Sequence, residues 1–255
     1  MTLRHALRRL ALRRHALLAV AGLALALPAL AYLLPAEAIL RKASERRVGL
    51  ELSAVEAIGA LELRGAALPP GLPPNSTARL LLKMPGRARL ELLPPDGAEA
   101  DRPAASLKDD RLAGRGGLEQ SPGVAALVRG LATLLTWQTG NDGKGFGEAL
   151  ARRGVKVEEV SLGRFNGRLA WVLGGRVGDP KPAPFVLVDK ESWMPLRLQV
   201  IEGGASYDLR FLDWASAVGA DRIPRAIEVW QGTELLVRFN TEKAAANPRL
   251  PDSLF

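Results

Sequence analysis

Apolar and polar residues alternate with a period of two along most of the second half of the chain, the repeat of a strand with one covered face. Leu196, Leu198 and Val200 share one side, with Arg197 and Gln199 opposite, and Tyr207, Leu209 and Phe211 stand against Asp208 and Arg210. Ile227 with Val229, and Leu235 with Val237 and Phe239, continue the pattern. Strands are expected at 155–165, 168–173, 184–189, 195–202, 205–213, 224–230 and 233–241. Asn166-Gly167 is a type I′ hairpin signal, and Glu202-Gly203-Gly204 and Gln231-Gly232 supply further tight connections. Links this short between successive strands make an antiparallel meander. A slip of apolar phase between Val157 and Val160 predicts a bulge at Glu158-Glu159.

The first half mixes both periods. Ala36–Arg47 reads as a helix with Ile39, Leu40 and Ala43 on one face. Short apolar runs at 57–64, 77–84 and 87–93, separated by Pro-Pro and Pro-Gly pairs, read as strands. Residues 96–120 are polar and glycine-rich, with one hairpin expected around Asp109-Asp110. The helix at 121–137 is the clearest element. Ser121 caps it, Pro122 occupies the first helical position, and Val124, Leu127, Val128, Leu131, Leu134 and Leu135 repeat at helical spacing before Gly140. A shorter helix at Phe146–Arg153 is stopped by Gly154. The expected class is α+β, an antiparallel sheet of about ten or eleven strands whose apolar face is covered by helices, because such a face has to be buried.

Residues 1–15 are strongly basic, and residues 16–34 carry no charge. Pro28 divides the apolar run, and Ala29-Leu30-Ala31 is a small-x-small pattern, so residues 1–31 are expected to be a signal peptide cleaved near Ala31. The same run is long enough to serve as an uncleaved anchor. In both cases the arginines stay in the cytoplasm and the remainder is exported to the periplasm, free or anchored at the inner membrane. Residues 36–255 are expected to form one domain, with a helical insertion at about 96–154.

Charge and chemistry narrow the function. The net charge is +8, but Arg4, Arg8, Arg9, Arg13 and Arg14 precede the first acid, Glu37, and leave +3 for residues 37–255. Nucleic-acid binding thereby loses its main support. Cysteine is absent and both histidines, His5 and His15, lie in the leader, which excludes disulfides, thiolate chemistry and histidine-based zinc sites or triads from the exported part. No G-x-S-x-G, P-loop or H-E-x-x-H pattern occurs. Gly143-Lys144-Gly145-Phe146-Gly147 reads as a turn leading into a helix. Asp109-Asp110 and Glu158-Glu159 read as solvated charge, since adjacent strand residues point to opposite faces. No catalytic residue, metal site or cofactor is expected, and the chain is read as a non-enzyme. The apolar sheet face has two readings, an ordinary closed core or a lined cavity for an alkyl ligand.

Phe185-Val186-Leu187-Val188-Asp189-Lys190, followed by Trp193-Met194-Pro195-Leu196-Arg197-Leu198, resembles a passage of the LolA-like periplasmic lipoprotein carriers. Tyr207–Trp214, Ile223-Pro224-Arg225, the ending Asn247–Phe255, the helix at 36–47 and Lys83–Glu91 are similar to that family too. The usual Asp-Gly passage before an aromatic strand is missing, and 96–154 has no counterpart. The resemblance implies a strongly curved, incomplete antiparallel barrel with helices over its concave face, and a monomeric carrier holding lipid or lipoprotein acyl chains. It implies a cavity lined by Leu196, Leu198, Val200, Tyr207, Leu209, Phe211, Ile227, Val229, Leu235, Val237 and Phe239. The helix bearing Val124, Leu127, Val128, Leu131, Leu134 and Leu135 would be the lid, and Arg89 would match a basic position that holds the lid. Implied partners are an inner-membrane transporter or an outer-membrane receptor. Two other readings stay open: a stress sensor or assembly protein that binds another protein, and a carboxylate-dependent envelope hydrolase.

Overall fold

The two-residue period becomes strand wherever it is densest, and the helical stripes become helices within two residues of their expected limits. The computed structural model describes residues 33–93, 101–135, 142–178 and 182–255, so the leader and Gly140 lie outside the described residues. Pro35–Phe255 is one compact unit and Met1–Leu34 another. In chain order the elements are α1 (Ala36–Val48), β1 (Ala54–Leu63), β2 (Asn75–Lys83), β3 (Arg87–Leu92), β4 (Ala104–Lys108), β5 (Arg111–Arg115), α2 (Pro122–Leu135), α3 (Lys144–Arg152), β6 (Val160–Phe165) and β7 (Arg168–Gly174). They continue with β8 (Phe185–Asp189), β9 (Pro195–Glu202), β10 (Ala205–Leu212), β11 (Ala226–Gln231) and β12 (Glu234–Ala246).

All pairings are antiparallel, and the sheet order is β5-β4-β3-β2-β1-β12-β11-β10-β9-β8-β7-β6. Each half is a meander, and the first strand joins the last at the centre. The expectation of ten or eleven strands in a strongly curved incomplete barrel is corrected: among the described residues the sheet has 12 strands, and it is neither closed nor strongly curled. The hairpin expected around Asp109-Asp110 is formed by β4 and β5. Its β5 (Arg-Leu-Ala-Gly-Arg) is almost entirely exposed and carries no apolar alternation that would announce it. Closure is opposed on two counts. α2 lies against the inner face, and a helix with its side chains is about 10–12 Å across. The free edges, β5 with Arg111 and Arg115 and β6 with Gly163 and Arg164, are unsuited to pairing with each other.

Turn chemistry follows the local residues. Asn166 (φ 49°) and Gly167 (φ 79°) make the expected type I′ turn, and Asp109 and Asp110 (φ 50° and 63°) make another between β4 and β5. The expected bulge at Glu158-Glu159 is instead a turn closed by Glu159 N–H donating to Lys156 O at 3.0 Å, so β6 starts only at Val160. The segment 104–152 supplies two strands of the sheet and two helices packed in the same unit.

Candidate functional site

The inner face is built by cross-strand rows. Leu198, Leu209, Val229 and Val237 are successive partners across β9–β12, and the row continues to Leu63 on β1. Phe211, Ile227 and Phe239 form a second row that ends on Leu61, and Val200 faces Tyr207. All are buried. Two bulges move the other expected lining residues. An irregularity between Leu187 and Val188 makes Val188 pair with Pro195, and Leu196 packs with Ala170, Val172, Phe185 and Leu187. A second, between Val229 and Trp230, sets Leu235 opposite Trp230 and presses Leu236 against α2. Alternation across a bulge assigns the wrong face, because the extra residue shifts the phase by one.

α2 fills the space above these rows. Ser121 Oγ accepts from Val124 N–H at 3.3 Å as the N-cap, and donates to Ala67 O at 2.7 Å. Val124, Leu127, Val128, Leu131 and Leu134 are buried, and so are Ala125, Ala126, Ala132 and Thr133 on other sides, which makes the helix apolar around most of its circumference. The side chain of Leu135 lies outside the described residues. The helix touches β9–β12 and also β2–β4. Its approach to the sheet depends on two glycines one heptad apart. A methyl group at Gly130 would overlap Leu209 Cδ2, and one at Gly123 would stand 2.9 Å from Val237 Cγ2 and from Ala67 Cβ. Sequence reasoning passed over both, although glycine inside a helix costs about 1 kcal/mol and is itself a signal of close approach.

Beyond the C-terminal end of this contact is a small apolar crevice of about 20 Å³, lined by Leu82, Leu131, Leu134, Phe211, Trp214 and Ile223, among others. It has room for little more than one water molecule. Arg47, the residue that sequence reasoning missed, stands in its wall. At the end of α1 this side chain is only 1% exposed. Its guanidinium donates to Asp221 O and, at 3.3 and 3.4 Å, to Arg222 O, and it lies 5.7 Å from the Trp214 ring centroid. Burial lowers its pKa to about 10; the Asp221 carboxylate works against that shift and Arg46 adds to it. Arg47 is therefore charged at neutral pH and held by carbonyls. Its neighbour Arg46 pairs with the Asp221 carboxylate, so the end of α1 is fastened twice to the loop after β10.

A wider opening of about 500 Å³ lies between α2, α3 and the turns after β2 and β4. Leu107, Ala132 and Ala149 line it together with charged groups, including Glu148, Arg152 and the pair Arg153–Asp110, and Arg153 Nε also donates to Thr133 Oγ1 at 3.0 Å. Arg89, expected near the lid, points away. On the outer face of β3 it donates to Leu254 O at 2.9 Å and to Glu91 at 3.0 Å, so it holds the chain's last residues. Arg197, also outward, pairs with the buried Asp208 at 2.5 Å. Among the described residues no group of three acidic or imidazole side chains could hold a metal ion. No helix there is long and apolar enough to cross a membrane.

No family model and no curated protein matches this chain. Among solved structures it is similar to a LolA superfamily protein from Nitrosomonas europaea, at 13% identity over 87% of this chain and 97% of that one, with a TM-score of 0.49. A DUF1329 family protein from Desulfovibrio piger aligns at 13% identity over 87% and 97% of the two chains, with a TM-score of 0.42. The MucA/MucB complex of Pseudomonas aeruginosa gives 16% identity over 84% of this chain and 59% of that one, with a TM-score of 0.27. The structural neighbours of this chain thus include LolA superfamily proteins and MucB, over most of its length and at low identity.

Proposed function

We propose that this protein is an exported, LolA-like carrier that shelters lipid acyl chains between α2 and the apolar inner face and carries them across the periplasm. The observation that carries the reading is the way the apolar layer is closed. Rows of apolar residues on four neighbouring strands are roofed by a helix that is itself apolar on nearly every side. A buried arginine stands among the apolar residues that line the crevice beside it, and in this reading it acts as the seal. A seal built for stability alone would place an apolar side chain at position 47, since burying a guanidinium opposes its charge. A charged seal hydrogen-bonded to a loop can be withdrawn into water, and its withdrawal joins the crevice to solvent. The stretches that resemble the carrier family, Phe185–Lys190 and Trp193–Leu198, are β8, its turn and the start of β9, where the crevice residue Pro195 lies.

In this reading the leader directs export and is removed near Ala31, the chain performs no bond chemistry, and delivery uses a membrane transporter or receptor. Native mass spectrometry of protein taken from its own envelope tests it, with displacement of a fluorescent fatty-acid probe as the second measurement. Retained lipid and saturable probe binding are expected. A protein that carries no lipid and never binds the probe would overturn the proposal.

A further inference from the structure

The helices leave one margin of the inner face bare. Leu162 and Leu169 are 40% and 44% exposed, although they share a face with Trp171 and Val188, which are buried. The register makes this explicit: Leu162 pairs with Trp171, Arg164 with Leu169, and Trp171 with Val188. Lys190 N–H donates to Leu169 O at 3.0 Å, which sets Lys190 beside that leucine, and its ammonium lies 5.0 Å from the Trp171 ring centroid. In the following turn Trp193 lies beneath Lys42 of α1, at 4.9 Å. Arg164, Lys190 and Lys42 are exposed, and no carboxylate among the described residues forms an ion pair with them. Asp189, in the same turn, is buried and bound to Arg168.

We propose that this margin, formed by Leu162, Arg164, Leu169, Lys190, Lys42 and Trp193, is a landing surface for an anionic lipid bilayer. Two shallow leucines flanked by long cationic side chains and an indole at the rim make the composition of a surface that rests in a headgroup layer. The charges decide against a second copy of the chain, because a symmetric contact would set the same cations against each other. The surface lies outside the apolar layer under α2, so this proposal and the carrier reading stand or fall separately.

The test uses the full chain in lipid nanodiscs of phosphatidylcholine, alone or with phosphatidylglycerol, and measures backbone hydrogen exchange at 160–170. A cation at an anionic surface strengthens attachment about fivefold, so exchange in this hairpin is expected to slow by at least about that factor in the anionic discs. The slowing should disappear in high salt and in the double variant Leu169→Asp, Lys190→Glu. It should persist in Ile201→Asp, which alters a residue that is 42% exposed on the opposite face. Unchanged thermal melting of each variant shows that it has folded. The same exchange in both discs, or equal protection in both, would overturn the proposal. So would lipid-free protection that grows with protein concentration, which would assign the surface to a second copy.

Discussion

Leu131→Ala measures how tightly α2 is held. Leu131 is 4% exposed and lies on the crevice with Phe211 and Trp214. Removing three carbons forfeits roughly 2.4 kcal/mol of transfer free energy, at about 0.8 kcal/mol per methylene. If the neighbours close part of the space and leave a void of roughly 40 Å³, the cavity adds about 1 kcal/mol at 24 cal/mol per Å³. The expected loss is about 3 kcal/mol, a large share of the roughly 5–15 kcal/mol that stabilises a typical domain. Urea unfolding should show a lower midpoint with an unchanged slope. The same truncation widens the crevice, so a long-chain fatty acid should restore most of the loss: ligand at a hundredfold excess over its Kd contributes about 2.7 kcal/mol. A loss below about 0.5 kcal/mol, the size of a surface effect, would refute the picture of a packed helix. A full loss that fatty acid does not restore would leave the core intact and remove the crevice from lipid binding.

Leu198→Glu places a carboxylate without a partner beneath Gly130, and the domain is expected to lose several kcal/mol and to melt far below the wild type. Melting close to the wild type, with Ile201→Glu as the exposed control, would show that water reaches that face. For Arg47 the sign follows from its lowered pKa. The unfolded chain keeps its proton to higher pH than the folded chain, which releases it near 10, so the stability of the wild type relative to Arg47→Met should rise as pH passes from about 9 to 12. Paired urea melts across that interval check it, and a flat or falling difference would contradict full burial of the guanidinium.

What could be read in the chain without a structure is what local repetition encodes. β9 occupies Pro195–Glu202 as its alternation demands, and Ser121-Pro122 fixes the start of α2 because cap and first turn are chemically specific. Faces were legible until a bulge intervened, so Leu198, Leu209 and Val237 fall on the inner face, whereas Leu196 and Leu235 do not share the neighbours that alternation gives them. The seal was not legible at all. Arg47 sits among Glu45, Arg46 and Val48 in what reads as a solvated helix end, and only the distant carbonyls of Asp221 and Arg222 make it a buried group. β5 was announced only by the Asp109-Asp110 turn before it. A strand at a free edge needs no apolar face, so its pairing with β4 leaves no period in the sequence.

The pairing of β1 with β12 also governs when the protein can fold. Val55 meets Ala246 and Leu63 meets Val237, so the middle of the sheet is a seam between residues made first and residues made last. Contacts of such long sequence separation are slow to form, because the intervening chain must be ordered before they stabilise anything. A nascent chain lacking 234–246 leaves β1 with one unpaired edge and α2 without one of the seven strands it touches. Its sheet is therefore complete only after the last strand has emerged.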